Sequence, residues 1–145
     1  MEEKNLNILY VEDNEGDRRL AQEAFQKLNL KSNLSTVKNG EEAMGFLYRQ
    51  GPFAQVVSPD IVILDLNLPK ISGIDLLMRI KNDPLLTTIP IAILTGTAGY
   101  ENIVQDYNSK THRYFQKPVD FNGFIKTMKK IEQFCLETMQ VGNGK

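Results

Sequence analysis

The sequence predicts an α/β fold: a doubly wound, five-stranded parallel sheet of order 2-1-3-4-5 with five helices. Two observations carry that expectation. Short apolar runs alternate with helical periodicities along the whole chain, as they do when a parallel sheet is covered on both faces. Four of those runs also end in polar residues that suit the carboxyl edge of a sheet: Glu12-Asp13, Asp65, Thr95 and Lys117.

The first strand is Asn7-Ile8-Leu9-Tyr10-Val11, closed by the two acids. Asn14 can then cap a helix whose apolar stripe is Leu20, Ala21, Ala24, Phe25 and Leu28, spaced by three and four. Ser32 to Val37 reads as the second strand. Asn39-Gly40 opens a helix through Ala43, Met44, Phe46 and Leu47 that ends near Gly51-Pro52. The connector Gln50 to Pro59 is expected to be tacked down by Phe53, Val56 and Val57.

Ile61-Val62-Ile63-Leu64 leads into Asp65 as the third strand. Pro69 and Gly73 mark a turn before a helix carrying Ile74, Leu77, Met78 and Ile80, which stops near Asp83-Pro84. Ile89 to Leu94 forms the fourth strand, ending in Thr95. A helix with Tyr100, Ile103, Val104 and Tyr107 on one side follows the turn Gly96-Thr97-Ala98-Gly99. Tyr114-Phe115-Gln116 is the last strand, and Lys117-Pro118 leads to a final helix from near Asp120, carrying Phe121, Phe124, Ile125, Met128, Ile131, Phe134, Cys135 and Met139.

Right-handed crossovers leave few arrangements of five such units. The order 2-1-3-4-5, the flavodoxin-like topology, puts the strands ending in Asp13 and Asp65 at the switch point, where open α/β sheets bind ligands.

The 145 residues fit one domain, read as 1–145 with a core of about 6–139 and a short flexible tail at about 140–145. Apolar content of 41% and charged content of 24% are ordinary for a soluble globular protein. A formal net charge of −1 gives no basic excess to neutralise many phosphates, which disfavours a DNA or RNA role. No apolar stretch approaches a membrane span and no signal-peptide core is present, so a cytoplasmic location is expected. One cysteine, Cys135, and one histidine, His112, exclude a disulfide framework and thiolate- or imidazole-rich metal sites.

Glu12, Asp13 and Asp65 would crowd like charges into one crevice, which costs stability unless a cation neutralises them. Hard oxygen donors favour Mg²⁺, with Mn²⁺ as a substitute. Taken alone, the first two acids could merely favour the amino terminus of the next helix. Asp65 can act as a nucleophile that accepts a phosphoryl group, a transfer that depends mostly on positioning and charge neutralisation. The cation, the Lys117 ammonium and the Thr95 hydroxyl could each take one phosphoryl oxygen. A lysine before proline is otherwise an ordinary solvated loop residue. Tyr114 is either a half-buried strand aromatic or a rotor that swings inward when Thr95 moves. Asn67 and Thr97 flank the site and are expected to tune attack by water on the acyl phosphate.

At these residues the chain resembles a two-component response-regulator receiver domain. The resemblance rests on Glu12-Asp13, on Leu64-Asp65-Leu66-Asn67-Leu68-Pro69 with Gly73, on Thr95-Gly96, on Tyr114 and on Lys117-Pro118. It implies Asp65 as phosphoacceptor. Asp13, Asp65 and the Asn67 backbone carbonyl would be the Mg²⁺ ligands, with Glu12 assisting. Thr95, Gly96 and Lys117 would bind the phosphoryl group, Thr95 and Tyr114 would form the switch, and a phosphohistidine on a sensor kinase would be the donor. Asp13-Asn14-Glu15-Gly16-Asp17-Arg18-Arg19-Leu20, the long connector and the long final helix are similar to stand-alone receivers paired with phytochrome-type sensor kinases. That subgroup often dimerises. Ser109-Lys110-Thr111-His112-Arg113 departs from the Gly-Ala that many receivers place before the last strand.

Rival readings meet specific obstacles. A haloacid-dehalogenase-like phosphatase needs a second aspartate two residues after its nucleophile, and Asn67 stands there. A flavodoxin would need its phosphate loop after the first strand, whereas Thr95 to Gly99 follows the fourth. A degenerate receiver that only binds a partner would lack an active-site residue, and none is missing. No DNA-binding or output unit follows the receiver, so output is expected by protein contact, dimerisation or onward phosphotransfer. The expected homodimer face comprises Tyr100, Ile103, Val104, Tyr107, Phe134 and Met139. Its premise is that a final helix of about 30 Å overhangs the sheet, and its alternative is that the helix end packs on the chain's own first helix.

Overall fold

Five strands, β1 (Leu6–Val11), β2 (Ser32–Val37), β3 (Ile61–Asp65), β4 (Ile91–Thr95) and β5 (His112–Gln116), pair in parallel in the order β2-β1-β3-β4-β5. The computed structural model describes residues 6–28, 32–66, 68, 72–96 and 111–143, with side chains except at 32, 95 and 139–143. Four helices lie among these residues: α1 (Glu15–Leu28), α2 (Gly40–Leu47), α3 (Gly73–Asn82) and α4 (Phe121–Asn143), with a 3-10 turn at Gly51–Phe53. The expected helix with Tyr100, Ile103, Val104 and Tyr107 lies outside the described residues.

Strand side chains alternate between the faces of the sheet, and each face is the floor of one core. Leu9, Val11, Val62, Leu64, Ile91 and Ile93 pack with Ala43, Phe46, Leu76, Leu77 and Ile80 of α2 and α3. Leu6, Ile8, Tyr10, Ile61, Ile63, Ala92 and Leu94 pack with Ala21, Ala24 and Phe25 of α1 and with Phe124, Met128, Ile131 and Phe134 of α4. The register Tyr10↔Ile63 and Val11↔Leu64 brings the ends of β1 and β3 level. Glu12 and Asp65 therefore emerge side by side.

The turn after β3 depends on close backbone approach. At Gly73 a Cβ would lie 2.4 Å from Leu66 Cα and 2.7 Å from the Asp65 carbonyl oxygen. Only glycine permits α3 to start this near the strand end, and Gly73 N donates to the Leu66 carbonyl at 3.2 Å. Ser72 caps α3 by accepting from Asp75 N, and Asn39 caps α2 by accepting from Glu42 N.

The structure corrects three packing expectations. Val57 is 63% exposed and does not tack down the connector, which is held by Phe53 and Val56. In α3 the buried stripe runs through Leu76, Leu77 and Ile80, and Met78 is exposed. Phe134 is 1% exposed and Cys135 fully buried, so neither contributes to an outward dimer face. The helix is covered by its own chain as far as Phe134 and Cys135. Phe115 reaches Phe134 with ring centroids 6.1 Å apart, the Arg113 guanidinium lies 4.7 Å from the Phe134 ring centroid, and α1 supplies the remaining cover. Leu136, by contrast, is exposed. Among the described residues no helix is long and apolar enough to cross a membrane.

Candidate functional site

The carboxyl ends of β1, β3 and β5 bring together side chains from distant parts of the chain. Glu12 is fully buried and Asp65 is 1% exposed, while Asp13 is exposed. One carboxylate oxygen from each lies within 4.8 Å of the others. Lys117, just past β5, extends its ammonium into the same space. Its Nζ lies 2.7 Å from Glu12 Oε1, 2.9 Å from Asp65 Oδ2 and 2.9 Å from Asp17 Oδ2. The lysine before proline is thus a site residue and not a solvated loop residue.

Local structure explains each placement. Glu12 N donates to the Val37 carbonyl at 3.0 Å, continuing the β1–β2 pairing beyond the strand end. Asn14 caps α1 as expected, accepting from Asp17 N at 2.8 Å. This first turn of α1 carries the Asp17 carboxylate toward Lys117. Arg18 also donates to the Glu12 carbonyl at 2.8 Å, which ties α1 to the end of β1.

Glu12 is held by three donors: Tyr10 Oη at 3.0 Å and Lys117 Nζ on Oε1, and Asn14 N at 3.1 Å on Oε2. Burial pushes its carboxyl up to about 7; the Lys117 bond opposes that rise and the Asp65 charge adds to it. For Lys117, burial alone would lower the pKa, but the bonds to Glu12, Asp65 and Asp17 outweigh it and hold the ammonium above its ordinary range. The Tyr10 phenol is raised, first by burial and then by the Glu12 charge.

Three carboxylates share one ammonium here, and Asp13 adds a fourth to the cluster. Oxygen donors with no nitrogen or sulfur ligand suit a hard divalent cation, and the excess negative charge favours one. Gly96 lies beside the lysine, and a Cβ there would be 3.8 Å from Lys117 Cβ. Thr95 ends β4 as expected, with its backbone paired to Gln116. Tyr114 is half-buried against the core beneath α2 and α3, which is compatible with both of its readings. Asn67, Thr97 and the side chain of Met139 lie outside what is described.

Residues 8–129 match the response regulator receiver domain family. The chain belongs to that family. Response regulator Rcp1 of Synechocystis is 35% identical over 132 residues, covering 91% of this chain and 90% of Rcp1. The phosphorylated cyanobacterial phytochrome response regulator RcpA superposes with a TM-score of 0.80 at 36% identity, covering 93% of this chain and 96% of that structure. The Mn²⁺-bound form of Rcp1 gives a TM-score of 0.78 at 34% identity, covering 92% and 96%. This receiver is a response regulator of two-component signalling, similar to phytochrome-associated regulators, and the dehalogenase-like alternative has no support.

Two of the receiver's site contacts were not anticipated from sequence. Asp17 joins Lys117, and its signal was an acid four residues after Asp13, in the first turn of a capped helix. Tyr10 joins Glu12, and its signal was a hydroxyl two residues before the acid, on the same strand face.

Proposed function

We propose that Asp65 is the phosphoacceptor and receives its phosphoryl group from a phosphohistidine on a sensor kinase. The observation that carries this reading is the Asp65 carboxylate, buried at the switch point, 2.9 Å from the Lys117 ammonium and grouped with Glu12 and Asp13. An Asp65 oxygen forms the new P–O bond as the P–N bond breaks, and the electron pair stays on the imidazole nitrogen. Lys117 follows the charge from carboxylate to phosphoryl oxygen. Gly96 leaves room beside it, and Thr95 binds a further oxygen. Asp13, Asp65 and the Asn67 carbonyl would hold Mg²⁺, with Mn²⁺ as a substitute and Glu12 assisting. The bound ion supplies neutralisation of the phosphoryl charge.

The same reading takes Thr95 and Tyr114 as the switch, Asn67 and Thr97 as residues tuning hydrolysis, and a phytochrome-like kinase as donor. It places the protein in the cytoplasm as a single domain over 1–145, catalysing only its own phosphorylation and dephosphorylation. Its output passes by protein contact, onward phosphotransfer or a homodimer through Tyr100, Ile103, Val104, Tyr107 and Met139, with exposed Leu136 in place of Phe134.

Incubation with acetyl phosphate and Mg²⁺ should add one hydroxylamine-labile phosphoryl group. Chelation by EDTA should prevent this and Asp65→Asn should accept none. Labelling of the Asn variant at the original rate would assign the acceptor elsewhere. Sedimentation with beryllofluoride tests the dimer, and Leu136→Glu should weaken it without affecting labelling.

A further inference from the structure

Leu6 and Ile8 precede Tyr10 on the face of β1 that packs against α1 and α4. Either aliphatic type would fill that core, yet this position carries a phenol, fully buried. A buried hydroxyl is costly unless it is hydrogen-bonded. The bond it makes, at 3.0 Å, is to Oε1 of Glu12, a member of the acidic cluster.

The donors around Glu12 are not equivalent. Oε1 accepts from Tyr10 and from Lys117, and Oε2 accepts from Asn14 N. Each carboxylate oxygen has two lone pairs, so Tyr10 and Lys117 together occupy Oε1, and the place taken by Lys117 reopens if the lysine leaves. Lys117 stands on a flexible four-carbon stem and is shared with Asp65 and Asp17. The Tyr10 hydroxyl is fixed by a ring enclosed in the core.

We propose that Tyr10 is a positioning residue: its phenol fixes the rotation of the Glu12 carboxylate and so keeps it oriented toward the acidic cluster, where a divalent cation would bind, after Lys117 has turned to the phosphoryl group. This rests on the phosphoacceptor reading above and deepens it. Tyr10 touches neither the cation nor the phosphoryl group, and acts only through Glu12.

Tyr10→Phe keeps the ring and removes the bond. Titration of the whole protein with Mn²⁺, followed by calorimetry, should show the dissociation constant rising about threefold to tenfold, the range that loss of one hydrogen bond gives. The Asn14 amide resonance, which reports the bond to Oε2, should shift upfield. In a Glu12→Ala background no carboxylate remains to be oriented, so adding Tyr10→Phe should leave Mn²⁺ affinity unchanged. Glu12→Leu serves for that comparison if the alanine variant does not fold. Equal affinity of Tyr10→Phe and the unsubstituted protein would overturn the inference alone, as would an equal loss in the background lacking Glu12. If the unsubstituted protein binds no Mn²⁺, the inference falls together with the metal site beneath it.

Discussion

Lys117 Nζ stands 2.9 Å from Asp65 Oδ2 although 52 residues separate them in the chain. The same ammonium is closer still to Glu12, so one cation pairs with two buried carboxylates and links the ends of β1, β3 and β5.

Removing that lysine therefore has two effects. Lys117→Ala leaves Glu12 and Asp65 buried without their cation, and should cost about 2–3 kcal/mol in urea denaturation without divalent ions. Added Mg²⁺ should recover part of the loss, because it supplies the missing positive charge. Labelling by acetyl phosphate should slow about tenfold or more. Wild-type stability in metal-free buffer would remove Lys117 from this role.

The Glu12 carboxyl is pushed up to about 7 in the folded protein from an ordinary 4.5. The folded state then binds more protons than the unfolded chain between those values, so Glu12 lowers stability progressively as pH rises from about 4.5 to 7. Above that it levels off. Comparing denaturation of the wild type and Glu12→Gln across this window isolates the contribution, expected to approach about 3 kcal/mol. A difference that does not change with pH would contradict the assignment.

His112 acts in the opposite direction. Burial, with the Lys81 charge adding to it, lowers its pKa to about 4. The unfolded chain therefore binds the extra proton between about 4 and 6.5, and stability is gained as pH rises through that range. His112→Phe should flatten this acid limb by about 3 kcal/mol. Urea melts of the two proteins at matched pH give the measurement.

Gly73→Ala places a Cβ against the backbone at Leu66 and Asp65, which cannot move without shifting the end of β3. A destabilisation of about 2–3 kcal/mol is expected, along with slower labelling of Asp65. Labelling at the wild-type rate with an unchanged melt would show that α3 can shift independently of the site.

Phe134→Ala should cost about 3–4 kcal/mol, and the loss should not depend on protein concentration. The reason is that Phe134, on α4, is enclosed by its own chain, against β5 and α1. A melt whose loss shrinks as protein concentration rises would return Phe134 to an intermolecular contact.

Much of this receiver follows from short-range pattern. Runs such as Ile61 to Leu64 form buried strands because every side chain is apolar. Asn14, Asn39 and Ser72 start helices because their side chains meet an unpaired amide three residues on. The positions of Asp13, Asp65 and Lys117 at strand ends were legible for the same reason, since strand length and crossover handedness leave them one edge to share. Tertiary structure decided what lies outside that local logic. Val57, Met78 and Phe134 are of comparable hydrophobicity, and which of them is covered depends on elements far away in sequence. Asp17 reaches Lys117 because the end of β1 sets the direction of α1, and Tyr10 meets Glu12 because the face they share closes against α1 and α4. Periodicity is local and marks which residues can be buried or can carry charge. Burial and pairing are made between elements, so only the packed chain determines which of those residues meet.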